Sequence, residues 1–139
     1  MTTEEPFRIL QEFETKLRKC IIASLKQKKG ENWEEAIPSS ILERARMREK
    51  SDRERGVPPR DNLLCYAEFS DYKVIIYQNW DVFKEVFGDK AFVRKIEELE
   101  PIRNVLYHNA RALREEEKTR LKLYVKDLLT KIEGKLTQS

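Results

Sequence analysis

One short stretch, Ile102-Arg103-Asn104-Val105-Leu106-Tyr107-His108-Asn109, gathers side chains that could move a proton beside a phosphate. His108 is the only histidine in the chain. Histidine is the side chain whose unperturbed pKa lies near neutrality, so it is the default proton shuttle at physiological pH. Arg103 supplies a fixed positive charge and a planar fork of donors that fits phosphate oxygens. Arg, Asn and His on one helix make a toolkit for cutting a phosphodiester. They also make a set of hydrogen-bonded polar residues with no chemistry. Spacing alone favours the second reading, because helices often carry an Arg and a His this far apart.

Helical geometry constrains the first reading. Asn104 and His108 lie about 40° apart around a helix axis and share a face. Arg103 lies about 100° from Asn104 and about 140° from His108 on the same arithmetic. On an ideal helix the two cationic groups diverge, so the geometry favours a composite site in a two-fold dimer whose motif helices face each other. Pro101 has two readings: a kink in one long helix, or the first residue of a fresh one. A fresh helix would put Arg103 and Asn104 in its first turn, where free N–H groups favour an anion.

The elements that would carry this stretch are helical. Phe7, Leu10, Phe13, Leu17, Cys20, Ile21 and Leu25 recur every three or four residues, which predicts a helix over 4–29, capped by Thr3 and ended by Gly30. A second helix starts near Ser40 and soon becomes almost wholly charged over 43–55; a helix polar all round bridges solvent, binds a partner or frays. Gly56-Val57-Pro58-Pro59 is the clearest break. Ser70 caps a short helix reaching Gln78, and the next turns, to Phe87, point Trp80, Phe83 and Phe87 inward. Lys90 to about Ala110 carries the motif, and a last helix runs from about Arg114 to Leu136. The fold class is all-α: a four-helix-type bundle with extra short helices, one domain over 1–139, with 44–60 as a charged helix end and loop inside it.

Of the 139 residues, 38% are charged, well above the roughly 25% of an average globular chain. Glycine and proline are few (four and five), which fits long helices with a solvated face. The net charge of +3 and pI of about 8.8 argue only weakly for nucleic acid. Cys20 and Cys65 form no Cys-x-x-Cys pair, and one histidine cannot complete a typical zinc site with them. They read as two reduced, buried thiols. Neither a signal peptide nor a long apolar run is visible, so the expectation is a cytoplasmic protein with no membrane contact. The basic residues Arg44, Arg46, Arg48, Lys50, Arg53, Arg55 and Arg60, then Arg111, Arg114, Lys118, Arg120 and Lys122, either track an RNA backbone or form solvated helix faces.

The string from Leu99 to Asn109 resembles the signature of HEPN domains, an Arg, usually a polar residue after it, then a His. The context is similar to the Swt-type branch: a Phe69-Ser70-Asp71 step before the Ile-rich run through Ile75 and Ile76, then Asn79-Trp80-Asp81-Val82-Phe83, with Trp33 to Pro38 upstream. This resemblance covers most of residues 7–136. It implies a helical bundle that dimerises through the motif helix, and a metal-independent endoribonuclease of RNA processing, phage defence or toxin–antitoxin pairs. In the implied reaction the ribose 2′-OH attacks its own 3′-phosphate and leaves a 2′,3′-cyclic phosphate. His108 would shuttle the proton, Arg103 would neutralise transition-state charge, and Asn104 would orient the phosphate or His108. The expected RNA contacts are Tyr107, Asn109, Arg111, Arg114, Arg44 and Arg48; Tyr107 also reads as interface packing. No cofactor or metal is implied. Expected partners are RNA, a second copy, and an antitoxin or a sensor or ATPase protein. The alternative is a non-catalytic HEPN module for dimerisation or for binding a nucleotide or partner. A third reading is a helical adaptor that binds through residues 44–60.

Overall fold

The computed structural model describes residues 4–108 and 110–137. Six α-helices follow in order: α1 (Glu4–Lys29), α2 (Ser39–Glu54), α3 (Phe69–Gln78), α4 (Trp80–Phe87), α5 (Lys90–His108) and α6 (Glu115–Leu136). Short 3-10 turns at Gly30–Ala36 and Leu63–Tyr66 flank α2, and no strand occurs among the described residues. The all-α bundle expected from the periodicity is therefore present.

The stripe of α1 is the spine of the core: Leu10, Phe13, Leu17, Cys20, Ile21 and Leu25 are all fully buried. Apolar residues this large each contribute roughly 1.5–3 kcal/mol on burial. Gly30 ends the helix with φ +67, a conformation that favours glycine. The Thr3 cap expected at the other end lies outside the described residues.

Cross-links fix the helix directions. Glu5 pairs with Lys122 at 3.4 Å, and Lys16 with Glu133 at 2.8 Å. Both steps are eleven residues long (16 − 5 and 133 − 122), so α1 and α6 run side by side in the same direction. Glu14 meets Arg103 and Phe7 meets Tyr107, which makes α5 antiparallel to α1. The motif helix is thus clamped along α1.

One expectation needs correction, and two others resolve. The cap of α3 is not Ser70: Asp71, buried, accepts the Glu68 N–H at 2.9 Å and starts the helix two residues earlier. It is held there by Arg44, whose guanidinium donates to it at 2.9 Å. Phe83 and Phe87 are inside as expected, and Trp80 is half-buried but packs against the core, with Lys90 over its ring at 5.7 Å. Of the two readings of Pro101, the one long helix holds and the fresh start does not: α5 runs through Pro101, which lies on the exposed side. Arg103 and Asn104 therefore lie deep within the helix, where backbone N–H groups are already bonded, and no helix-start anion site exists there. The charged half of α2 stays helical to Glu54, because Arg44 and Arg48 bind the start of α3.

After α5 the chain turns sharply into α6. Arg111 donates both terminal nitrogens to Glu117, at 2.7 and 2.9 Å, and Glu117 also accepts the Arg114 N–H at 2.9 Å. The Arg111 bonds, aided by that backbone bond, pull the Glu117 carboxyl down to about 2. Its folded pKa lies below the ordinary value of 4.5, so its stabilisation is complete above that pH and is lost as pH falls toward 2. Glu117→Gln should lower Tm at neutral pH and shrink the Tm loss on acidification below about pH 4.5. Thermal melts across acid pH check this; an acid dependence identical to wild type contradicts it.

Candidate active site

Arg103 is the most constrained polar residue of the motif. Its Nε donates to Glu14 Oε1 at 2.6 Å. The side chains are 23% and 10% exposed, so the pair sits largely out of water. Its guanidinium lies 4.0 Å from the Tyr107 ring centroid and 5.4 Å from that of Phe69. Tyr107 is backed in turn by Phe7, with centroids 4.9 Å apart. A buried charge needs a partner, and Glu14 supplies it. Because the bond uses Nε, the two terminal nitrogens make no other hydrogen bond among the described residues and remain available as donors.

Burial and then the Glu14 charge push the Tyr107 hydroxyl up, which keeps it neutral. Tyr107 is thus an aromatic wall for Arg103 within one chain.

Arg103, Asn104 and His108 all line one cleft of about 600 Å³, together with Arg48, Arg55 and Arg60. Both cationic groups thus border the same cleft, although their positions on α5 stay about 140° apart, as the helical arithmetic expects. Glu100, Asn104 and His108 step round α5 about 40° apart, and Arg103 lies about 60° beyond Glu100, on the side away from His108. The cleft is broad enough to take in the whole arc, and the long arginine reaches its rim. One chain therefore brings the three motif residues to a single cavity. Asn104 and His108 are exposed, and His108 lies in the last turn of α5.

The opposite wall comes from α2 and the turn before α3. Arg48 donates to the Tyr66 carbonyl at 2.7 Å and to Glu68 at 2.7 Å. Arg60 donates its guanidinium to the Cys65 carbonyl at 2.9 Å and its backbone N–H to the Tyr66 hydroxyl at 3.0 Å, and its guanidinium lies 5.1 Å over the Tyr66 ring. Tyr72, in α3, donates to the Leu64 carbonyl and so anchors the same turn.

The other expected RNA contacts are scattered. Arg48 lines the cleft, whereas Arg44 does not, being bound to Asp71. Tyr107 lines a neighbouring cleft. Arg111 is tied to Glu117, and Arg114 lies 3.9 Å from Glu116 at the start of α6. Asn109 lies outside the described residues. The thiols also differ from expectation. Cys20 is buried, which pushes it up to about 11, but Cys65 is half-buried on the cleft wall. Among the described residues no three His, Cys, Asp or Glu side chains gather as a metal-holding group.

Glu14 and Arg60 are the residues that sequence reasoning missed as site residues. Glu14 had a signal: it falls four after Leu10 and three before Leu17, in an apolar stripe position, and a charge there needs a buried partner. Arg60 had only its place in the basic run that could track an RNA backbone, because its position on the cleft wall depends on how the 55–62 loop folds back.

Fold and site together define a class: a helical bundle that presents Arg, Asn and His from one helix into a cleft of mixed charge, with Arg48, Arg55 and Arg60 beside Asp52, Glu68 and Glu100. The Swt1-like HEPN family model matches residues 8–133, and the chain belongs to that family. No curated protein and no solved structure matches the chain. No helix among the described residues is long and apolar enough to cross a membrane.

A double-mutant cycle with Glu14→Gln and Arg103→Gln should return a coupling of about 1–3 kcal/mol in denaturant unfolding. Additive losses would contradict the Glu14–Arg103 pair.

Proposed function

We propose that this chain is a metal-independent endoribonuclease. The observation that carries this reading is the meeting of Arg103, Asn104 and His108 in one cleft faced by Arg48 and Arg60. In the proposed reaction His108 takes the proton of the ribose 2′-OH. The 2′ oxygen bonds to the adjacent phosphorus, and the bond from phosphorus to the 5′ oxygen of the next nucleotide breaks. The 5′ oxygen leaves with a proton, and a 2′,3′-cyclic phosphate remains. The terminal nitrogens of Arg103 face the charge that grows on the non-bridging oxygens, where fixed donors count most. Asn104, between Arg103 and His108 on the helix, orients the phosphate.

Dimerisation through α5 belongs to the proposal. The C-terminal half of α5 exposes Pro101, Asn104 and His108, so part of this helix lies outside the core. A second copy docked there would bring a second histidine to protonate the leaving oxygen. The proposed setting is cytoplasmic RNA processing, defence or a toxin–antitoxin pair, with an antitoxin or a sensor or ATPase protein as regulator.

A second reading, a non-catalytic HEPN module, is favoured by one observation: Arg103 is already neutralised by Glu14. Activity separates the two. In EDTA, wild type should cleave single-stranded RNA and leave cyclic-phosphate ends, and His108→Ala should be slower by roughly 10²–10⁴-fold. Equal cleavage by both proteins, or none by wild type, would overturn the ribonuclease reading.

A further inference from the structure

A second cleft, of about 780 Å³, lies on the α1 side of Arg103. It is not separate from the first. Arg60, Cys65, Ala67, Phe69 and Arg103 line both, so the two cavities meet along a shared wall that contains the motif arginine. The second cleft therefore adjoins the first at Arg103 and Arg60.

The second cleft has its own cations. Lys16 is used by Glu133, and Arg103 by Glu14. Arg18, Lys19 and Arg60 have no carboxylate partner among the described residues. Arg18 bonds to the Tyr72 and Thr15 hydroxyls, and Arg60 to a carbonyl. Glu12 and Asp61 also line the cleft, so its charge is mixed with a positive excess. Stacking of bases on Tyr107 is blocked, since Arg103 lies over that ring and Phe7 packs beside it. What the cleft offers a polynucleotide is charge for its backbone.

We propose that the second cleft is a backbone-binding subsite for single-stranded RNA: Arg60, at the junction, and Lys19, beyond it, hold phosphates that flank the one at Arg103. This rests on the reading of the first cleft as an RNA site, and it adds a direction, from α2 across α5 toward α1. The subsite is insensitive to base identity and is engaged only by RNA of more than one linkage.

Uncleavable 2′-O-methyl RNAs of two and eight residues test this by binding at several salt concentrations. Lys19→Glu and Arg60→Ala should each weaken the octamer about fivefold or more and reduce the slope of log affinity against log salt by about 0.7. Lys19→Glu, which lies outside the first cleft, should leave the affinity of the two-residue RNA unchanged. Lys84→Glu, an exposed lysine on α4 away from both clefts, makes the same charge change as Lys19→Glu and should leave the octamer's affinity within twofold. Lys19, on the surface of α1, keeps the test valid where Arg60→Ala disturbs the turn. Octamer binding that ignores Lys19, or that falls equally with Lys84→Glu, overturns the subsite. Cleavage of RNA by wild type in that case leaves the ribonuclease reading standing. Binding that depends on Lys19 and Arg60 without any cleavage keeps the subsite and removes the ribonuclease. No octamer binding at all removes both.

Discussion

The ion pair between Glu14 and Arg103 sets what this molecule can do. It joins α1 to α5 at a point where both side chains are largely out of water. Two charges there are costly unless their geometry is good and their remaining bonding capacity is used. The short Nε bond and the aromatic groups around the guanidinium provide that geometry. The pair also fixes rotation: α5 cannot turn about its axis without losing Glu14, so Asn104 and His108 must face the same cavity. Held through Nε, the guanidinium is pre-positioned without losing its terminal donors. Fixed donors of this kind lose little freedom when they meet an anion.

The other wall of the cavity is built by a comparable device. Arg44, Arg48 and Arg60 bind Asp71, Glu68 and the carbonyls of Tyr66 and Cys65, so the charged half of α2 and the loop after it are folded back onto the start of α3. An arginine-rich segment that reads as a solvated face is partly an architectural brace. Of these three, Arg60 alone is bound without a carboxylate and lines both cavities, which leaves its charge to act on a ligand. The same sorting removes Arg111 from the set of free cations, since Glu117 takes both of its terminal nitrogens.

Much of the bundle was legible in the sequence, because apolar residues at helical spacing have one physical meaning in a chain with little Gly and Pro. The α1 stripe and the limits of α5 and α6 follow from it. The start of α3 did not, because Ser70 is a good cap in isolation and only the fold brings Arg44 to Asp71. The motif residues were legible through Arg103, Asn104 and His108. That they border a common cleft was not, since a helical wheel places side-chain roots and says nothing of the breadth of the cavity built against them by α2 and the turn before α3. Glu14 was visible as a charge in an apolar stripe, but its partner, 89 residues away, was not.

A structure of the protein with an uncleavable single-stranded RNA tests the account most directly. It should place a phosphate within about 3 Å of a terminal nitrogen of Arg103, with the His108 ring against the adjoining ribose 2′ oxygen and Glu14 still bonded to Nε. RNA bound elsewhere, or an Arg103 that leaves Glu14 to reach the phosphate, would contradict it.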